Sequence, residues 1–158
     1  MANETESRRW NDRRWTDAWP SRERLTDAVS PFLVAAADPR SGQRVIDIGC
    51  GGGALTITLA QAVGAGGEAV GYDISAPLLA LATRRSAEAG VTNVRFVEAD
   101  VQAGDWGDAP ADLAVSQFGV MFFDEPTAAF ASVLRHIAPG GRFVFACWQG
   151  VEHNPWHL

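Results

Sequence analysis

The stretch VIDIGCGGGALTITLA, Val45 to Ala60, sets four glycines, Gly49, Gly51, Gly52 and Gly53, in a five-residue window directly behind an apolar run. A strand that ends in a tight glycine turn and feeds a helix brings uncovered backbone N–H groups and the helix N-terminus to one point. An anion or a zwitterion is the matching ligand. Two spacings overlap here. Gly49, Gly51 and Ala54 fit G-x-G-x-x-G/A, the turn in which a pyrophosphate lies on the helix N-terminus and a third small residue lets helix and strand approach. Gly49, Gly51 and Gly53 fit G-x-G-x-G, a turn that needs only room beside the backbone for an amino-acid moiety. The loop alone leaves both open.

Asp73, in VGYDIS, lies 24 residues after Gly49. That is close to the separation of about 20 at which a carboxylate at the end of the second strand takes the hydroxyls of a ribose. Both ligands that the glycine spacings allow, a nicotinamide dinucleotide and S-adenosylmethionine, carry an adenosine ribose, so Asp73 supports either. Asp100, in VRFVEADV, is placed to accept from an exocyclic adenine amine, while Val101 offers its backbone N–H to a ring nitrogen. In that role the two together read an adenine; the other reading of Asp100 is an ordinary turn residue.

Other residues with chemical potential are sparse. Cys50 and Cys147 are too few for a disulfide framework and have no metal-ligand spacing with His136, His153 and His157, so two reduced thiols and no metal are expected. His136 falls near the end of a helical pattern, away from the strand ends, and is expected on the surface. His153 and His157 act as bases only where the tail folds back over the site. No catalytic residue can be named. Trp10, Trp15 and Trp19 crowd into the first twenty residues. They suit either a core or a lid that closes over a ligand and sets an aromatic face against a cation.

Behind these residues stands an ordinary globular composition, 47% apolar and 20% charged over 158 residues, enough for one domain. Every one of the thirteen basic residues is Arg, and nineteen carboxylates leave a net charge of −6. A phosphate-binding surface would carry a basic excess, so no nucleic-acid partner is expected. Arg8, Arg9, Arg13 and Arg14, interleaved with Asp12 and Asp17, read as a solvated helix face. With no membrane-length apolar run and a polar start, MANETESRRW, the expected setting is cytoplasmic, without membrane association.

Short β-rich runs alternate with helical patterns after the first forty residues, which predicts a parallel sheet wrapped by helices on both faces. The strands are expected at Arg44–Ile48, Glu68–Tyr72, Val94–Glu98, Asp112–Ser116 and Arg142–Trp148. Crossover helices are expected through Leu55, Leu59 and Val63; from a Ser75 cap with Pro77 in the first turn; and from near Pro126 through Ile137 to APGG. Leu25, Val29, Phe32, Leu33 and Ala36 mark an amphipathic stretch, in which Pro31 either makes a kink or starts a second helix after Ser30. This divides the chain into a helical arm or lid, residues 1–40, and a Rossmann-like α/β domain, residues 41–158.

The ordered set VIDIGCGGG, VGYDIS, FVEAD, LAVSQFGVMFF and LRHIAPGGRFVFACW resembles the class I S-adenosylmethionine-dependent methyltransferases, specifically the small-molecule enzymes of the ubiquinone/menaquinone-biosynthesis type. The resemblance spans most of residues 44–148. It implies a doubly wound, mostly parallel sheet and transfer of a methyl group from S-adenosylmethionine to a small-molecule acceptor. It also implies that Gly49, Cys50 and Gly51 line the methionine moiety, that Asp73 holds the ribose, that Ile74 packs on adenine, that Asp100 and Val101 read its edge, and that Ser116 lies near the sulfonium. N-terminal helices often lid the site in this family, which favours Trp15 as a cofactor contact. The family usually continues past the fifth strand with two more strands, absent here. The fifth strand is therefore expected as an open edge through which the chain self-associates, unless the tail from Gly150 to Leu158 covers it. Two other readings are a cofactor-binding module without catalysis and an NAD(P)-dependent oxidoreductase.

Overall fold

The aspartate within the apolar run VIDI follows from the alternation of β1 (Arg44–Ile48) in the computed structural model. The structure describes residues 3–104, 106–107 and 109–154. Side chains of a strand point alternately to opposite faces. Val45 joins a core with Leu55, Leu59 and Val63 of α5 (Ala54–Val63) and Leu33 and Ala37 of α4 (Ser30–Ala37). Ile46 and Ile48 join the opposite core, with Tyr72, Trp106, Val133 and Phe143. Asp47 therefore faces α5, where it meets Thr56.

β1 sits at the centre of a five-stranded sheet with β2 (Glu68–Asp73), β3 (Val94–Glu98), β4 (Ala111–Gln117) and β5 (Ile137–Ala146), in the order β3-β2-β1-β4-β5. All four pairings are parallel. α5 and α6 (Ala76–Glu88) are the crossovers from β1 to β2 and from β2 to β3; α7 (Pro126–Arg135) connects β4 to β5 and sends Val133 into the other core. Strand order reverses between β1 and β4, the place where sheets of this kind open a crevice at the strand C-termini. α6 starts as expected, with the Ser75 hydroxyl accepting from the Leu78 N–H and Pro77 in its first turn.

Three sequence expectations need correction. β5 begins at Ile137 rather than Arg142 and ends at Ala146. Its pairing jumps from Ala111–Ile137 to Leu113–Arg142, so the APGG segment is a bulge inside the strand instead of the terminator of the preceding helix. His136 is buried, not exposed. It is the C-cap of α7, turned inward to stack on Trp106 at 3.9 Å between ring centroids, with Nδ1 2.9 Å from the Ser132 carbonyl oxygen. The amphipathic stretch before β1 does start a second helix at Ser30, after a 3₁₀ turn (Asp27–Val29), but with a different buried face: Leu33 and Ala37 are buried, whereas Leu25 and Phe32 are 82% and 78% exposed.

Ahead of α4 lie α1 (Glu4–Asn11), α2 (Arg13–Thr16) and α3 (Trp19–Glu23). Side chains tie them to the sheet domain. Asn3 donates to the Phe122 carbonyl at 2.8 Å, Asn11 to Ile74 at 3.1 Å, and Ser75 donates its hydroxyl to Trp10 at 2.6 Å. Glu23 meets Arg85 at 2.8 Å, a pair mostly shielded from solvent. Arg8, Arg9, Arg13 and Arg14 are exposed and pair with carboxylates of their own helices or helix caps.

Candidate functional site

The C-terminal ends of the strands bound a cavity of about 850 Å³, roofed by the helical arm. From the β3 side to the β5 side its floor presents Asp100 and Val101 after β3, Asp73 and Ile74 at the end of β2, Gly49 and Cys50 after β1, Phe118 and Gly119 after β4, and Trp148 after β5. Trp10, Trp15 and Trp19 line it from the arm. Of the residues singled out from sequence, Gly49, Cys50, Asp73, Ile74, Asp100, Val101 and Trp15 thus share one cavity.

Gly51 and Ser116 sit elsewhere. The Gly51 N–H donates to Asp73 Oδ2 at 2.8 Å, and its Cα lies under Trp19: a Cβ there would fall 2.3 Å from the indole ring, and φ is +53°. Only glycine fits that position. Ser116 is fully buried below the cavity floor and donates its hydroxyl to the Ile48 carbonyl at 2.7 Å. It pins the end of β4 to the end of β1. A second close approach lies beside it, where a Cβ at Gly49 would come within 2.9 Å of the Gly119 Cα. The turns after β1 and β4 therefore touch backbone to backbone.

Asp73 is held by two backbone donors. Oδ2 accepts from Gly51 and Oδ1 from the Ser75 N–H at 2.9 Å. Each carboxylate oxygen retains further acceptor capacity, so the group is oriented without being consumed. Burial raises its pKa, against the lowering effect of these backbone donors. Asp100 has a different defect. Oδ1 accepts from the Gln102 N–H at 3.1 Å, while Oδ2 is buried without a partner. A buried unpaired acceptor is costly, and a ligand donor would satisfy it.

Sequence reading missed Asp47, although a carboxylate in the middle of an apolar central strand is itself a signal. It lines the cavity, is almost completely buried, and accepts from the Thr56 hydroxyl at 2.7 Å. Burial first, and the nearby Asp73 charge after it, push its pKa up to about 7, the Thr56 hydrogen bond working in the opposite direction. Burial also pushes the Cys50 thiol up, with both carboxylates adding to the effect. Cys50 is therefore a poor nucleophile. Among the described residues no group of His, Cys, Asp and Glu is arranged to hold a metal. His153 is exposed beside Glu152, and His157 lies outside the described residues.

The tryptophans of the arm form one cluster. Trp10 packs edge-on against Trp15 at 5.1 Å, Trp19 at 6.2 Å and Phe122 at 5.1 Å, and the Arg22 guanidinium lies 3.8 Å above the Trp15 ring. All three tryptophans are partly exposed and face the cavity, unlike residues of the central core. Arg85, which holds Glu23 of α3, also donates to the Gly52 carbonyl at 2.9 Å. Arm and glycine turn are joined at that point.

The methyltransferase domain family matches residues 45–141. The ubiquinone/menaquinone biosynthesis C-methyltransferase UbiE of Stutzerimonas stutzeri is 36% identical over 114 residues, covering 72% of this chain and 44% of the relative. A methyltransferase structure from Aquifex aeolicus superposes with a TM-score of 0.73 at 20% identity, over 95% of this chain and 75% of that one. A Geobacter sulfurreducens methyltransferase in complex with S-adenosyl-L-homocysteine superposes at 0.64 with 28% identity, over 75% and 47%. The chain spans about half the length of the curated relatives it matches.

Proposed function

The chain belongs to the class I S-adenosylmethionine-dependent methyltransferases, and from that premise we propose that the cavity binds S-adenosylmethionine and directs its methyl group to a small-molecule acceptor. The family match supports the G-x-G-x-G spacing of the same glycines. The observation that carries the placement is the buried, unpartnered Asp100 Oδ2 in the same cavity as the braced Asp73 carboxylate. An adenosine needs two such acceptors, one for its exocyclic amine and one for its ribose diol.

In this reading Asp73 accepts from both ribose hydroxyls, and Ile74 packs on the adenine whose edge meets Asp100 Oδ2 and the Val101 N–H. Gly49 and Cys50, with Gly51 beneath them, leave room for the methionine part beside the backbone. Asp47, on the cavity wall next to the glycine turn, faces the ammonium of that part. S-adenosylmethionine, when bound, supplies an electrophilic methyl whose leaving group is a neutral thioether, so no general acid is required of the protein. The chain's contribution is positioning, which can supply roughly 7–11 kcal/mol of a barrier in well-oriented systems. The arm helps by excluding water, with Trp15 among the rings that face the sulfonium.

The acceptor is a small molecule, reached without nucleic acid or membrane in a cytoplasmic setting. An acidic chain with Cys147 exposed and unpaired supports this, and no described helix is long and apolar enough to cross a membrane. Self-association through β5 is a further part of the reading. Among the described residues that strand has β4 as its sheet neighbour on one side and no strand on the other, and Phe145 is 42% exposed. An open strand edge invites pairing with another chain.

The test is thermal unfolding with S-adenosylhomocysteine and with NAD. A ligand that binds only the folded state raises the melting temperature by mass action. S-adenosylhomocysteine is expected to raise it and NAD to leave it unchanged; the reverse result overturns the reading.

A further inference from the structure

Arg85 stands on α6 and does not line the cavity, yet three parts of the chain meet at its guanidinium. Nη1 donates to the Gly52 carbonyl at 2.9 Å and reaches both carboxylate oxygens of Glu23, at 3.0 and 2.8 Å. That nitrogen carries two hydrogens, enough for a carbonyl and a carboxylate together. The Arg85 side chain is 27% exposed and that of Glu23 16%, so the pair escapes much of the solvent screening that weakens surface pairs.

α3 has little of its own to hold it in place. It is five residues long, far below the length at which a helix persists unaided, and no side chain caps its N-terminus. α1, in contrast, is tied to the sheet domain through Asn3, Trp10 and Asn11. What α3 carries is Trp19, whose ring lies on the glycine turn. A Cβ on Gly52 would fall 2.6 Å from Trp19 Nε1 and 2.6 Å from Arg85 Nη1, so indole and guanidinium close over the same residue. Trp19 Nε1 is buried there without an acceptor. Burying an N–H unpaired is costly, so α3 stays down on the turn against that cost. The Glu23–Arg85 pair is a polar contact that opposes it.

We propose that Arg85 is a positioning residue for the cofactor: by holding Glu23 and the Gly52 carbonyl at once, it clamps α3 and Trp19 onto the glycine turn and sets how long a bound S-adenosyl ligand is retained. The proposal rests on the cavity being the S-adenosylmethionine site and adds a residue that acts on it without touching the ligand. Trp19, Arg22 and Glu23 all line the cavity from α3. Release of α3 therefore uncovers the glycine turn, whereas Asp73 and Asp100 at the adenosine end stay in place. Loss of the clamp raises the dissociation rate more than it lowers the association rate.

Binding of S-adenosylhomocysteine to the full chain, followed by stopped-flow tryptophan fluorescence, yields both rate constants. Glu23→Gln keeps the shape without the charge, and Arg85→Met keeps a helix-forming chain without the donors. Each is expected to raise the dissociation rate about fivefold, the scale of a partly shielded ion pair, and to change association less than about twofold. The double variant should match Arg85→Met alone, because residues that act through one contact are not additive. Unchanged dissociation in either single variant, an effect confined to association, or a Glu23→Gln effect that persists in full on the Arg85→Met background overturns the proposal. A lower melting temperature of the ligand-free variants with dissociation unchanged marks a merely structural pair and overturns it equally. Trypsin supplies a readout that needs no ligand. Arg22 and Arg24 are exposed at α3. Cleavage after them, relative to cleavage after the exposed Arg40, should be about fivefold faster in ligand-free Arg85→Met than in the wild type. Equal cleavage overturns the clamp. Absence of S-adenosylhomocysteine binding by the wild type overturns the cofactor reading instead, and the trypsin comparison still decides whether Arg85 holds α3.

Discussion

Replacing Asp47 by Asn tests how the protein stores a carboxylate in its core. In the fold the group titrates near 7, against an ordinary value of 3.8. The folded state therefore holds a proton that the open chain has released between about pH 4 and pH 7. The sign follows from this: with a folded-state value above the unfolded one, ionisation of an acid is penalised by folding, so stability falls as pH rises through that window and then levels off. At 1.36 kcal/mol per tenfold difference in proton affinity, the loss is about 4 kcal/mol at most, since part of the repulsion is shared with Asp73. Asn keeps an oxygen for the Thr56 hydroxyl and carries no charge. Asp47→Asn should match the wild type at pH 4 and exceed it by about 2–4 kcal/mol at pH 8, several degrees in melting temperature for a chain of this size. Urea unfolding of the ligand-free proteins at both pH values measures it. A stability difference that does not grow with pH, or a variant less stable at pH 8, would refute the argument. The same substitution should weaken S-adenosylhomocysteine at pH 8 through loss of the charge facing the ammonium, so the two effects run in opposite directions.

Asp73→Ala should weaken S-adenosylhomocysteine by about 1.5–3 kcal/mol, the range for hydrogen bonds to a charged acceptor, and Asp100→Ala by less because the Val101 N–H still reads the adenine; calorimetry measures both. Trp15→Ala should lower cofactor affinity with an unchanged far-ultraviolet circular dichroism spectrum, since the ring lines the cavity outside the two sheet cores; loss of the fold would instead make the arm part of the core. If β5 pairs between copies, light scattering should show concentration-dependent association that Phe145→Lys abolishes, and a monodisperse monomer at high concentration would exclude it.

Central elements were legible in the sequence because one physical rule governs each. β1 and β3 coincide with their predicted limits, and β2 differs by one residue, since each is a short β-rich run bounded by turn signals. Asp73 and Asp100 were placed on one cavity because the ends of β2 and β3 fix where they project. Features set by tertiary contact were hidden. His136 is buried because Trp106, distant in sequence, supplies a stacking face. β5 starts early because Ile137 finds a partner in Ala111 before the bulge at Pro139. Ser116 lies at the predicted strand end, but its hydroxyl is claimed by Ile48 from below. Phe118 lies in the quoted stretch LAVSQFGVMFF, but its left-handed backbone carried no signal, because a positive φ at an aromatic residue is held by contacts with Ala146 and Trp148 and leaves no trace in local composition.

The most direct test of the central claim is a crystal structure of the chain with S-adenosylhomocysteine bound. It should show the ribose diol on the Asp73 carboxylate, the exocyclic adenine amine on Asp100 Oδ2, and the homocysteine part beside Gly49 and below Trp19. Density for the ligand away from Asp73 and Asp100, or an empty cavity at saturating concentration, would contradict the account.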